Sequence, residues 1–258
     1  MRSPRFLGFV TGSTLLTLTA SALLLLPRTA MAQPKHYALE SLDGLALHNV
    51  AAEPATLQGK KGLRLTVSDE AIRRLQSRLE GMSPEARAQA RLELLASIEG
   101  LAFSNGVIEV EIAGAPAPGV GEGARGFVGI AFRLQPDKQT YDAFYLRPTN
   151  GRADDQERRN HSTQYVSLPE WPWFRLRKET PSRYESYVDL VPGEWTKIKI
   201  EVRGNQARLY VHGSEQPALI VNDVKSGAHA KGAVALWLEP GTVAHFRDLT
   251  VDLAPDEK

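Results

Sequence analysis

The run Gly106-Val107-Ile108-Glu109-Val110-Glu111-Ile112 decides how this chain is read, because apolar and acidic side chains alternate through it. Alternation with a period of two puts one set of side chains on each face of an extended strand, so one face meets a core and the other meets water. Strand-length segments follow at Phe127-Val128-Gly129-Ile130-Ala131-Phe132 and Tyr141-Asp142-Ala143-Phe144-Tyr145-Leu146. Further strands are expected over Glu185–Leu190, Thr196–Val202, Gln206–Val211, Ala233–Leu238 and Ala244–Leu253. Their connections carry turn chemistry: Val191-Pro192-Gly193-Glu194, Arg203-Gly204-Asn205, His212-Gly213-Ser214 and Glu239-Pro240-Gly241. Between the first two segments, Ala113–Gly126 is rich in Gly and Pro and reads as a flexible loop. Upstream, Ala46–Val50 and the alternating Leu63, Leu65 and Val67 flank a Gln58-Gly59-Lys60-Lys61-Gly62 turn. Many strands, short turns and no βαβ alternation predict an all-β antiparallel sandwich.

One stretch breaks the period. Ile72, Leu75 and Leu79 recur at helical spacing after Ser68-Asp69-Glu70, and Gly81 closes the element. Ser83 then offers an N-cap and Pro84 a first helical residue, ahead of an apolar stripe at Leu92, Leu95 and Ile98 that ends at Gly100. Residues 69–100 therefore predict a two-helix hairpin inserted into the sandwich. Its apolar faces can dock on the sheets, or its arginines (Arg73, Arg74, Arg78, Arg87 and Arg91) can recruit a partner.

The N-terminus has its own logic. Arg2 and Arg5 precede an apolar run from Phe6 to Leu26, then Pro27 and the small-residue triplet Ala30-Met31-Ala32. This predicts a secretory signal over residues 1–32, a mature domain over 33–258 in the periplasm or outside the cell, and no stable membrane span after cleavage. An uncleaved anchor is the competing reading, since the apolar run is long enough to cross a bilayer of roughly 30 Å. The chain of 258 residues has 31 Lys and Arg against 30 Asp and Glu, a net charge of +1, which gives no electrostatic case for nucleic acid. Loss of Arg2, Arg5 and Arg28 would leave 28 basic against 30 acidic residues, a net charge of −2. The absence of cysteine excludes disulfides, thiolate metal sites and cysteine nucleophiles.

The order Phe103-x-x-Gly106-Val107-Ile108-Glu109-Val110-Glu111-Ile112, then Gly126-Phe127-Val128-Gly129-Ile130-Ala131-Phe132-Arg133, then Tyr145-Leu146-Arg147-Pro148, resembles the concanavalin A-like lectin/glucanase superfamily. It is most similar to its laminin G-like jelly rolls and to the 3-keto-disaccharide hydrolase-like domains of bacterial secreted proteins. Gly193-Glu194-Trp195-Thr196-Lys197-Ile198-Lys199-Ile200-Glu201-Val202 and Ala207-Arg208-Leu209-Tyr210-Val211 resemble the strand-turn-strand signature of the same group. The likeness runs over residues 37–68 and 101–253, and the helical hairpin departs from it. It implies a jelly roll, a scaffold that hosts lectins, hydrolases and adhesion modules alike.

Residues 147–185 interrupt the regular strands; a loop of that length in a compact domain is usually functional or disordered, and its aromatic content argues against disorder. A sugar needs an aromatic platform for its C–H face and planar polar groups for its hydroxyls. Here Tyr165, Trp171 and Trp173 are the candidates for stacking, and Asn150, Asp154, Asn160, His161 and Gln164 for hydroxyl contacts. Arg147, Arg158, Arg159 and Arg175 complete the candidate site, in a segment (147–178) whose net charge is +3. Guanidinium forks match carboxylates and sulfates, so an acidic glycan is one expected ligand. Alternatively, these arginines pair with local Asp and Glu and pin the loop.

An enzymatic reading needs two carboxyl groups flanking a glycosidic bond. Glu109 and Glu111 share one strand face, as acids do in laminarinase-type relatives, yet only two acids alternate there, and solvent-facing Glu on an amphipathic strand explains them. Asp154, Asp155, Glu157 and His161 are the better acid–base candidates, with His the group that titrates near neutrality. Asn150, Asp154, Asp155 and Asn160 supply oxygens that suit calcium, although no D-x-D-x-D-G loop is present. His36, His48, His161, His212, His229 and His245 form no zinc-type spacing, and no other cofactor signature occurs. The sequence therefore predicts a secreted carbohydrate-binding protein using the 147–185 loop over a concave sheet. The alternatives are a glycoside hydrolase or 3-keto-glycoside-cleaving enzyme of this fold, and a protein-interaction or envelope module with a protein partner.

Overall fold

Strands form where the alternation expects them. In β11 (Thr196–Arg203) the residues Ile198, Ile200 and Val202 are buried while Lys197 and Arg203 are exposed, and β11 pairs antiparallel with β6 (Gly106–Pro116), whose Ile108, Val110 and Ile112 face the same core. The computed structural model describes residues 8, 33–82, 91–121 and 123–255; apart from Gly8, the expected signal segment lies outside the described residues.

The described residues make a two-sheet antiparallel sandwich. In the eight-stranded sheet the order is β13 (Leu219–Val221), β12 (Gln206–Val211), β11, β6, β15 (Thr242–Leu253), β4 (Lys60–Val67) and β3 (Val50–Leu57), with β1 (Lys35–Tyr37) also pairing with β15. The seven-stranded sheet runs β10 (Glu185–Ser186), β9 (Thr163–Leu168), β8 (Tyr141–Leu146), β7 (Val128–Leu134), β14 (Ala233–Leu238), β5 (Leu94–Ile98) and β2 (Leu45–His48). Between the sheets, Phe132 packs edge-on to Phe103 and parallel to Phe144, with centroids 6.2 Å apart in each pair.

The two sheets differ in how they meet water. On the eight-stranded sheet the outward charges pair with one another, as in Lys197–Glu109 at 2.8 Å and Lys60–Glu111 at 3.2 Å. In the seven-stranded sheet, by contrast, β5, β7, β8 and β9 are buried along their whole length. Both faces of those strands are therefore covered, and the cover on the outward face builds the candidate site.

Three expectations are corrected. The expected second helix does not run on to Gly100: α1 (Asp69–Leu79) forms, capped by Ser68 Oγ accepting from Ala71 N at 3.2 Å, but Leu94–Ile98 is strand β5, fully buried between β14 and β2. A strand covered on both faces loses its period of two, so Leu92, Leu95 and Ile98 imitate a helical stripe. The Ser83-Pro84 start falls in residues 83–90, outside the described residues. The expected loop over 113–126 is strand as far as Pro116, because β15 continues the ladder from Ala113–His245 to Pro116–Thr242. Finally, 147–185 is no open loop. It holds a short 3-10 turn (Pro148–Asn150), α2 (Gln156–Asn160), the interior strand β9 and α3 (Trp173–Glu179), while the strand expected over Glu185–Leu190 shrinks to β10.

Candidate functional site

Along β8, Phe144 turns into the core against Tyr165 on β9, with centroids 5.4 Å apart, so Tyr145 turns to the opposite face. The pairing sets Tyr145, Gly129 and Trp237 in one row across β8, β7 and β14. With no side chain at Gly129, the Tyr145 and Trp237 rings meet across the gap, centroids 4.7 Å apart and planes inclined by 25°. They form the floor of a cleft of about 580 Å3 whose walls include Leu75 of α1, Leu92, Leu168, Phe174 and Trp173. Trp173 and Phe174 are 43% and 57% exposed and stand edge to face at 5.9 Å, whereas the floor rings show only 3% and 2% of their surface. Cavities of this size with apolar walls and a few polar groups are the usual form of small-ligand sites.

Two carboxyl groups enter this cleft. The β5–β14 ladder ends at Leu94 and Leu238, and the residues just beyond it on each strand, Glu93 and Glu239, both line the cleft. Arg91 lies 2.7 Å from one Glu93 oxygen, and the Tyr141 hydroxyl donates to the other while accepting from Trp237 Nε1 at 2.9 Å. Burial raises the Glu93 carboxyl above the usual range, with Arg91 and Tyr141 opposing. Glu239 is pushed up to about 7, first by burial and then by the Glu93 charge, against the pull of Arg91 and Arg147. The cleft thus holds one carboxyl that exchanges its proton near neutrality.

Trp173 also lines a second cavity of about 440 Å3, where guanidinium groups gather: Arg125 precedes β7, Arg147 follows β8, Arg158 lies on α2 and Arg177 on α3. Arg147 forms the back wall, donating to His161 O at 2.9 Å, Gln164 Oε1 at 2.9 Å and the Tyr145 hydroxyl at 3.1 Å. Burial carries the Tyr145 hydroxyl to about 12, so it stays protonated as the Arg147 acceptor. Glu185, on β10, is the shared counter-ion: Arg147 lies at 3.4 Å, and Arg177 grips both oxygens, with Nε at 3.0 Å. His161 Nδ1 is 2.9 Å from Glu185 Oε2 but out of hydrogen-bond alignment. Burial, with Arg177 and Arg147 adding to it and Glu185 opposing, lowers the His161 pKa and keeps the ring neutral near pH 7. The Arg177 guanidinium also stacks on Trp173 at 4.8 Å, joining the two cavities through one ring.

The structure divides the expected site residues. Arg147, Asn150, Asp155, Glu157, Arg158, His161 and Trp173 line the arginine pocket. Tyr165 is not a stacking platform: it is fully buried, packed between Phe144 and Tyr184, with its hydroxyl on Asp142 at 2.6 Å. Gln164 is buried too, its amide donating to Tyr184 O at 3.1 Å. Trp171 is half-buried, with Arg175 and Lys225 at 3.8 and 4.6 Å from its ring, and Arg175 pairs with Glu179 at 2.8 Å. Arg159 stacks on Tyr187 at 5.2 Å. Asp154 and Asn160 are exposed and line neither cavity.

Three of the four residues whose oxygens were expected to suit calcium are engaged within the protein. Asn150 Oδ1 accepts from Arg158 at 3.0 Å, Asp155 caps α2 by accepting from Arg158 N at 2.8 Å, and Asn160 Oδ1 accepts from Gln156 at 2.8 Å. Among the described residues no group of three His, Cys, Asp or Glu side chains that could hold a metal ion comes together. Glu109 and Glu111 lie on the eight-stranded sheet, ion-paired to Lys197, Lys60 and Arg247. The sequence reading missed Glu93, Glu239, Tyr145 and Trp237, because they resemble ordinary strand and turn residues until the sheet order brings them together. It also missed Arg125, which sits in the Gly-rich connection, and Arg177, whose only signal was the local positive charge.

No protein-family model and no curated protein matches the chain. Among solved structures it is similar to the carbohydrate-binding module CBM66 from Bacillus subtilis, at 11% identity and TM-score 0.49, covering 80% of this chain and 93% of that one. It is also similar to a Crh5 transglycosylase in complex with NAG, at 12% identity and TM-score 0.49, covering 87% and 86%. A Bacillus licheniformis β-glucanase aligns at 12% identity and TM-score 0.45, covering 86% and 98%. Among the described residues no helix is long and apolar enough to cross a membrane.

Proposed function

We propose that this protein binds a carbohydrate in the cleft on the outward face of the seven-stranded sheet. The observation that carries the reading is the cleft itself: about 580 Å3, with exposed Trp173 and Phe174 on one wall, the Tyr145–Trp237 floor, and Glu93 and Glu239 as polar anchors. Exposed rings suit the C–H faces of a sugar, and carboxyl oxygens accept from its hydroxyls. The reading includes export, with residues 1–32 as the signal and 33–258 as the mature protein. Isothermal titration of the full chain against an oligosaccharide panel tests it. Binding that weakens in Trp173→Ala supports it, and indifference to every glycan, with a protein co-purifying instead, turns it toward the interaction module. N-terminal sequencing that begins at Gln33 supports export with cleavage, and a start at Met1 or Arg2 refutes cleavage.

One observation favours a catalytic version. Glu93 and Glu239 enter the same cleft, as the two carboxyl groups of a glycoside hydrolase would, and burial pushes Glu239 up to about 7, in the range of a general acid. New reducing ends from a bound glycan, lost in Glu239→Gln, would establish it. Binding without product leaves a lectin.

A further inference from the structure

We propose that the arginine pocket beside the cleft is an anion subsite that reads a carboxylate or sulfate group on the bound sugar; this rests on the cleft being the glycan site. The argument starts from donor and charge accounting. Arg147 and Arg177 converge on one carboxylate, Glu185, whose side chain is 3% exposed. Arg158 has no carboxylate at ion-pair distance among the described residues: Nε donates to Asn150 Oδ1 at 3.0 Å and Nη2 to Thr149 O and Oγ1 at 3.3 and 3.2 Å, all neutral acceptors. Nη1 of Arg158 and Nη1 of Arg177 donate to nothing in the described protein, and both residues line the cavity.

Among the described residues, the acids that line this pocket are otherwise placed. Asp155 caps α2, and the Glu157 side chain is 87% exposed at the rim, 4.0 Å from His161. Guanidinium groups only donate, so the group that completes this pocket must be an acceptor. Withdrawing a guanidinium charge from water without a counter-ion is costly, and an oxyanion from the ligand offsets that cost through forked N–H···O pairs. The cavity of about 440 Å3 has room for a substituted sugar ring, and Trp173 joins it to the cleft, so one glycan can occupy both.

The test is isothermal titration of the full chain with neutral oligosaccharides and with their C6-oxidised (uronate) and O-sulfated counterparts, at low and high salt. Glucuronate and sulfate alone are followed by thermal shift. The uronate or sulfated member is expected to bind at least tenfold more tightly than its neutral parent, with a preference that shrinks in high salt and is lost in Arg158→Gln while neutral binding persists. The two acidic arms identify which oxyanion is read. Equal affinity for acidic and neutral members, or a preference that survives Arg158→Gln, overturns the anion subsite and leaves the carbohydrate reading standing. An Arg158-dependent thermal shift with glucuronate or sulfate, but no oligosaccharide binding, does the reverse. Silence throughout overturns both, and should Arg158→Gln fail to fold, the salt dependence of the unaltered protein decides.

Discussion

Tyr145 and Trp237, on strands that do not pair with each other, stack at 4.7 Å because the residue between them is Gly129. A Cβ at position 129 would stand 2.2 Å from Phe144 O and 2.6 Å from Tyr145 Cβ, so no side chain fits without moving β8. Gly129→Ala is expected to cost about 1–3 kcal/mol by overpacking and to reduce the aromatic near-ultraviolet circular dichroism. An unchanged spectrum and unfolding midpoint would show that the gap does not hold the stack.

Trp173 is 43% exposed and lines both cavities, so its truncation tests binding with little effect on the core. Loss of a stacked ring is worth up to about 1.5 kcal/mol, about tenfold in affinity. Trp173→Ala should weaken glycan binding by about that factor with the melting temperature held within a few degrees. Trp171→Ala should instead lower stability and leave affinity close to normal, since its ring lies against Arg175 and Lys225.

The pH dependence of stability should carry the mark of Glu239. Burial holds its folded-state pKa at about 7, against an ordinary value of 4.5, so between those values the folded chain binds a proton that the unfolded chain has released. Stability therefore falls as pH rises through that window, by at most about 1.4 kcal/mol per pH unit, and levels off above it. Urea midpoints measured from pH 4.5 to 8 should show this slope, and Glu239→Gln should reduce it, leaving the part that Glu93, also raised by burial, contributes in the same sense. An equal slope in the variant would assign the proton to another group.

Arg133 makes a different prediction, being buried and lining neither cavity. Its guanidinium donates to Ser104 O at 3.0 Å, Gly227 O at 2.7 Å and Gly204 O at 2.8 Å, tying three connections together. Arg133→Met strands these acceptors, and a loss of at least about 3 kcal/mol in urea unfolding is expected. Glycan affinity of the variant that remains folded should not change, which separates this structural arginine from Arg158.

Glu109→Gln and Glu111→Gln should leave both binding and any turnover as they were. Their partners, Lys197, Lys60 and Arg247, are surface groups on the other sheet, and such pairs contribute at most about 1 kcal/mol. Loss of a glycan activity in either variant would move the site to the eight-stranded sheet.

What the sequence determined by itself is the sandwich. Wherever one strand face meets water, as along Gly106–Ile112 and Thr196–Val202, alternation marks the strand and the turn residues mark its ends. The same logic failed where water is absent. Leu94–Ile98 is apolar on both faces and reads as a helix, and Thr163–Leu168 lies hidden in a polar-looking segment, because Thr163, Gln164 and Ser167 are satisfied inside the protein. Within the candidate site, Trp173, Arg158 and His161 were legible from local composition. Tyr165 and Gln164 belong to the same run, yet they are buried residues of an interior strand. Sheet order and register, which no local pattern reports, set Glu93 and Glu239 in one cleft and stack Tyr145 on Trp237, pairs more than ninety residues apart in the chain. Periodicity reports which face of a strand is apolar, whereas a site depends on which strands become neighbours, and that is set by packing over the whole chain.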